Sequence, residues 1–121
     1  MFLKLPKDTK EMRWTRHIKE KIRQYQLSER RLLRVLRKPE RKEVGVAPET
    51  IAAMQTAGTR KHPYEIWIMY QIKNSKFKIQ NSKLKQVRMI SAWKYPGKSP
   101  IRKPPPIPED VLENLEEIIK Q

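Results

Sequence analysis

Tyr64-Glu65-Ile66-Trp67-Ile68-Met69-Tyr70-Gln71-Ile72 is the stretch on which the fold turns. Side chains alternate sides along an extended chain, so Tyr64, Ile66, Ile68, Tyr70 and Ile72 share one face. Trp67 and Met69 lie on the other. A strand apolar on both faces needs cover on both, which places it inside a sheet with layers above and below. Val87-Arg88-Met89-Ile90-Ser91-Ala92-Trp93 reads as its neighbour, and Lys94-Tyr95-Pro96-Gly97 as the turn ending that strand. Upstream, residues 43–47 and 50–56 flank Pro48-Glu49 and read as a hairpin. A helical turn is the competing reading of the second half, because Ala and Met are poor strand formers. Gly58-Thr59-Arg60-Lys61-His62-Pro63 is a basic loop leading into the central strand.

The period changes before residue 40. Ile18, Ile22 and Tyr25 fall at helical spacing among Arg16, Lys19, Glu20, Lys21 and Arg23, with Thr15 placed as N-cap. Ser28 is the N-cap of a second helix, with Glu29 at its positive end and Leu32, Leu33, Val35 and Leu36 as its apolar stripe. Pro39 stops it. Residues 1–11 read as a loose basic lead-in, and residues 12–98 as one α+β domain. The expected architecture is two N-terminal helices packed on a curved antiparallel sheet of about four strands, plus a C-terminal helix.

Two segments stand apart. Asn74-Ser75-Lys76-Phe77-Lys78-Ile79-Gln80 is nearly repeated by Asn81-Ser82-Lys83-Leu84-Lys85-Gln86. That run is too long for an ordinary hairpin loop, so residues 73–86 read as a duplicated lysine-rich insertion. Residues 99–108 are a proline-rich linker, stiff and extended. Residues 109–121 form an acidic amphipathic helix with Val111, Leu112, Leu115, Ile118 and Ile119 as its apolar face. Such a helix can lie across a basic surface and restrain it.

The charge is strongly lopsided. The 121 residues carry a formal net charge of +15, with 28 Lys+Arg against 13 Asp+Glu. Residues 109–121 hold five acids against one lysine, so the other 108 residues carry +19. An excess this large exceeds what solubility needs and points to a polyanionic partner, with an acidic protein the competing choice. No cysteine is present, which excludes disulfides and thiolate metal sites and suits a reducing cytoplasm. His17 and His62 are too few for a histidine metal cluster. No apolar run is long enough to span a bilayer, and Met1-Phe2-Leu3-Lys4-Leu5-Pro6 lacks the apolar core of a secretory signal, so no membrane partner is expected.

Two groups of residues carry a family likeness. One is Arg13-Trp14-Thr15-Arg16-His17, a helix, then Leu27-Ser28-Glu29 opening a second helix that ends at Arg37-Lys38-Pro39. The other is Trp67-Ile68-Met69-Tyr70 with Ile90-Ser91-Ala92-Trp93-Lys94-Tyr95-Pro96. Over about residues 12–98 the order resembles an uncharacterised bacterial and phage domain family related to the BrnT-like and RelE/ParE-like toxins. That resemblance implies helices packed on a curved antiparallel sheet. It also implies either messenger RNA cleavage, often on the ribosome, or action on DNA gyrase, and a cognate antitoxin as partner. The repeated arm, the proline-rich segment and the acidic tail depart from the pattern.

Cleavage of RNA without a metal needs a base, an acid and cations around the phosphate. His17, at the family-like position and titrating near neutrality, is the acid/base candidate; its competing reading is a cap or packing residue. Tyr95, at the strand's end, is its candidate partner. Arg16, Arg60, Lys61, Arg88 and Lys94 are the cations placed near phosphate, although Arg88 also suits a charge that protects an exposed strand edge. Trp14, Trp67 and Trp93 suit either base stacking or core. No phosphate-binding loop, Ser-His-Asp set or metal motif is present, and no cofactor is expected. The leading expectation is a cytoplasmic, toxin-like RNA-binding domain with metal-independent mRNA endoribonuclease activity. The alternative is a non-catalytic nucleic-acid or protein-binding module on the same scaffold.

Overall fold

Thr15 does two jobs at the first helix start. Its hydroxyl oxygen accepts from the Ile18 amide at 3.1 Å, and its hydroxyl donates to the Ile90 carbonyl at 2.7 Å. The helix is thereby capped and tied to a strand 75 residues away in one side chain. In the computed structural model, which describes residues 4–74 and 85–121, this helix is α1, Arg16–Tyr25. It ends at Gln26, which takes the left-handed conformation that closes a helix, at φ 52°. Ser28 then accepts from the Arg31 amide at 3.0 Å and opens α2, Glu29–Arg37. The Gln55 side chain donates to the carbonyls of Arg34, which also accepts from the Lys38 amide, and of Lys38 at the other end.

Five strands form one sheet in the order β1-β5-β4-β3-β2. They are β1 (Met12–Trp14), β2 (Arg41–Val44), β3 (Thr50–Gly58), β4 (Pro63–Asn74) and β5 (Lys85–Pro96). The hairpin reading of residues 43–56 holds: β3 pairs β2 on one side and β4 on the other, so its alanines lie in a ladder and not in a helical turn. Two expectations need correction. The sheet has five strands and is mixed, because β1 runs parallel to β5. The extra strand is only three residues long and holds no readable alternation, and its partner lies 75 positions away. Strand β5 also continues through Lys94, Tyr95 and Pro96, paired to Ile66, Glu65 and Tyr64, so the turn starts at Gly97.

The alternation in β4 is realised on both faces. Ile66, Ile68 and Tyr70 pack with Trp14, Ile18, Ile22, Leu32, Val35 and Met89 under α1 and α2. Trp67 and Met69 pack with Ala52, Met54, Ile90 and Trp93 on the opposite face. There the cover is the C-terminal segment, through Val111 and Ile118. The β4–β5 ladder slips between Met69 and Tyr70, whose partners are Ser91 and Met89. Ile90 is the extra residue of this bulge, which bends β5 and re-aims the side chains beyond it.

The acidic tail is not one helix. It is two short ones, α3 (Glu109–Glu113) and α4 (Leu115–Ile119), broken at Asn114 with φ −108° and ψ 15°. The Asn114 side chain donates to the Asp110 carbonyl at 2.9 Å, a local bond of the kind by which asparagine interrupts a helix. Of the repeated lysine segment, Lys73–Asn74 and Lys85–Gln86 form the end rungs of the β4–β5 ladder. The rest of it, residues 75–84, lies outside the described residues.

Candidate nucleic-acid interface

Helix α2 buries Leu32 and Val35, packs Leu33 and Leu36 against the same core, and exposes its opposite face. Arg30, Arg34 and Arg37 are exposed at i, i+4 and i+7, which sets three guanidiniums in a row on one face. At a rise of about 1.5 Å per residue the row is about 10 Å long, comparable with two phosphate spacings of an extended strand. Among the described residues no ion pair engages any of the three, since the ion pairs are Arg13–Asp8, Lys21–Asp110 and Arg41–Glu43. Arg31 lies beside the row and donates to the Gln55 side chain. Its pKa is lowered, first by burial and then by the charge of Arg34, so positive charge is crowded here. A bound anion would relieve that repulsion. Sequence reading missed this row, although its spacing is visible in Arg30-Arg31-Leu32-Leu33-Arg34-Val35-Leu36-Arg37.

Three of the expected cations belong to the same end of the molecule. Tyr64 lies near Arg31, and the Lys94 ammonium sits over the Tyr64 ring at 5.2 Å. Arg60 and Lys61 are exposed in the β3–β4 turn, which begins one residue after Gly58, the rung opposite Pro63. Gly58 has φ +83°, and a Cβ there would meet the His62 carbonyl oxygen at 2.3 Å, so the turn needs glycine. Arg16 is exposed at the start of α1, away from this end.

His17, Arg88 and Tyr95 are placed differently. His17 is buried, with Nε2 at 2.8 Å from the Ser91 hydroxyl and its backbone amide donating to the Gln121 side chain at 2.8 Å. Burial, and next the charge of Lys21, lower its pKa below the ordinary 6.5, so the ring is neutral at pH 7. The spacing to Ser91 suits a base and a nucleophile, but Ser91 is fully buried and no reactant reaches it in this arrangement. Tyr95 pairs with Glu65, four positions beyond the Ser91–Met69 rung. That puts the Ser91 and Tyr95 backbones about 13 Å apart along the strand. Arg88 donates to the backbone oxygens of Ile119 and Gln121 and to the Gln71 side chain.

The tail-covered face holds a second polar network that sequence reading missed. Glu65 is buried and accepts from Trp67 Nε1 at 2.9 Å, from the Ser99 amide at 3.1 Å and from the Ser99 hydroxyl at 2.6 Å. Arg41 donates to that hydroxyl at 3.0 Å and stacks over Trp67 at 5.3 Å. Strand parity already puts Glu65 with Trp67 and Met69, which is the available signal. Among the described residues no group of three His, Cys, Asp or Glu side chains gathers where it would hold a metal ion. No helix among them is long and apolar enough to cross a membrane. No protein-family model matches the chain, and no curated protein or solved structure matches it at a significant level.

Proposed function

We propose that the protein is an RNA-binding module that grips the phosphate backbone with the exposed row Arg30, Arg34 and Arg37 of α2. Lys94, Arg60 and Lys61 extend that surface. The row itself carries the proposal: three guanidiniums on one face, without ion-pair partners among the described residues, on a chain of net charge +15. Each guanidinium offers a planar fork of donors that matches a phosphate. The choice of RNA among polyanions is our inference from the RelE-like side of the resemblance that residues 12–98 bear to domains related to the BrnT-like and RelE/ParE-like toxins.

Two observations favour binding over cleavage. His17 is buried against the fully buried Ser91, and Tyr95 lies four strand positions from that serine. Arg88, expected at the phosphate, donates to the backbone oxygens of Ile119 and Gln121 while the C-terminal segment is in place.

The test is anisotropy of a labelled single-stranded RNA with wild type and with Arg30→Gln/Arg34→Gln/Arg37→Gln, followed by a gel of the same RNA. Wild type should bind and leave the RNA intact, and the triple variant should bind at least tenfold more weakly with unchanged circular dichroism. Equal affinity in the two proteins would overturn the proposal, and cleavage lost on His17→Ala would replace it with the nuclease.

A further inference from the structure

We propose that residues 99–121 are a displaceable cover, and that the sheet face beneath them is a second site for single-stranded RNA. This inference rests on the RNA-binding reading. Trp67 and Trp93 lie with parallel rings, 6.1 Å between centroids and 5° between planes, at the centre of that face. Both are buried under Val111 and Ile118. Aromatic platforms of this kind accept unstacked bases, which a duplex cannot present. Trp93 Nε1 is buried and has no hydrogen-bond acceptor among the described residues, so this face contains a donor that the tail leaves unsatisfied.

Three cations, Arg41 over Trp67 and Lys21 and Arg88 farther out, share one property: each receives oxygen atoms from residues 99–121. Lys21 pairs with the Asp110 carboxylate. Arg41 donates to the backbone carbonyls of Ile101 and Lys103. Arg88 donates to the backbone oxygens of Ile119 and Gln121. Phosphate oxygens would satisfy all three equally well, and with full charge. Glu109, Glu113, Glu116 and Glu117 are exposed on the outside of the tail, so the closed face presents negative charge to an approaching strand.

Past Ser99, which stays anchored on Glu65 by two hydrogen bonds, the cover is lightly built. Its helices are five residues each, too short to persist without the body, and only Val111 and Ile118 among their side chains are fully buried. A strand that offers bases to Trp67 and Trp93 and phosphates to Lys21, Arg41 and Arg88 competes for the same contacts.

The experiment uses the full chain carrying Val111→Asp/Ile118→Asp, which removes the apolar anchors, and separately Asp110→Asn, which removes the carboxylate. Labelled single-stranded oligouridine and a short RNA duplex are the probes. Opening the tail should raise affinity for the single strand about tenfold, the gain expected if the open state is about one-tenth populated in wild type. Duplex affinity should stay constant, and Trp93→Ala in the opened protein should abolish the gain. Asp110→Asn should shift affinity in the same direction by a smaller factor, which keeps the test decisive if the double variant fails to fold. Binding by wild type with no gain in either variant would overturn this inference alone. No binding by any form would overturn it together with the reading beneath it.

Discussion

Burial strips His17 of water and Lys21 places a positive charge beside it, so the imidazole pKa falls below 6.5 in the folded protein. In the unfolded chain the ring keeps its ordinary value, so the unfolded state binds more protons as pH drops below about 6.5. The stabilisation from the neutral ring is thus present above that pH and is lost as pH falls toward the folded value. Melting temperature should decline as the buffer is taken from pH 7 to pH 5, and His17→Gln should remove most of that dependence. A wild-type curve that is flat over this range would contradict the buried neutral ring. Ser91→Ala leaves the His17 ring nitrogen without its partner and should cost about 1–3 kcal/mol in urea denaturation, because a buried polar atom is orphaned. Glu65 is the stronger case. Glu65→Ala deprives Trp67 Nε1 and both Ser99 donors of their acceptor, and should cost about 3 kcal/mol or more. His17 was legible as a notable residue because of its place at the start of a helix, but its partners Ser91 and Gln121 are brought near only by the fold. Glu65 was hidden because a lone carboxylate in a strand reads as an exposed side chain until both faces are known to be covered.

At the scale of elements, the strongest local signals were the caps. Thr15 and Ser28 each accept from the amide three residues on, as their place before an apolar-periodic run implies. Ser28→Ala should cost about 1 kcal/mol of stability, read as a shift of the urea midpoint at constant slope. The alternation in β4 and the stripes of α1 and α2 were legible for the same reason: period is a local property. Strand β1 was not, because three residues hold no period and its parallel partner is β5. The continuous C-terminal helix failed at Asn114, whose side chain bonds the Asp110 carbonyl. The β3–β4 turn joins element to function. Gly58→Ala must shift either the backbone, held at φ +83°, or the His62 carbonyl, and so moves Arg60 and Lys61. It should lower the melting temperature and weaken RNA binding together, whereas Arg60→Gln/Lys61→Gln should weaken binding alone.

Across the whole molecule, charge is divided by face. The helical side of the sheet carries the α2 arginines Arg30, Arg34 and Arg37, without ion pairs among the described residues, whereas the opposite side is sealed by residues 99–121, whose oxygens occupy Lys21, Arg41 and Arg88. The need for cover on both faces was legible in Trp67 and Met69, but its source was not, since Val111 and Ile118 lie more than 40 positions downstream. The excess of +15 was legible as attraction to a polyanion, but charge alone does not say which cations the fold holds inward, as it does Arg88, and which it leaves outward, as it does Arg30, Arg34 and Arg37. The measurement that tests this division most directly is the salt dependence of binding to a single-stranded RNA, for wild type and for Arg30→Gln/Arg34→Gln/Arg37→Gln. The logarithm of the binding constant should fall linearly with the logarithm of salt, and the triple variant should lose about 2 from the slope, at roughly 0.7 for each of three phosphate contacts. A slope unchanged by the three substitutions, or binding indifferent to salt, would contradict a phosphate-gripping α2.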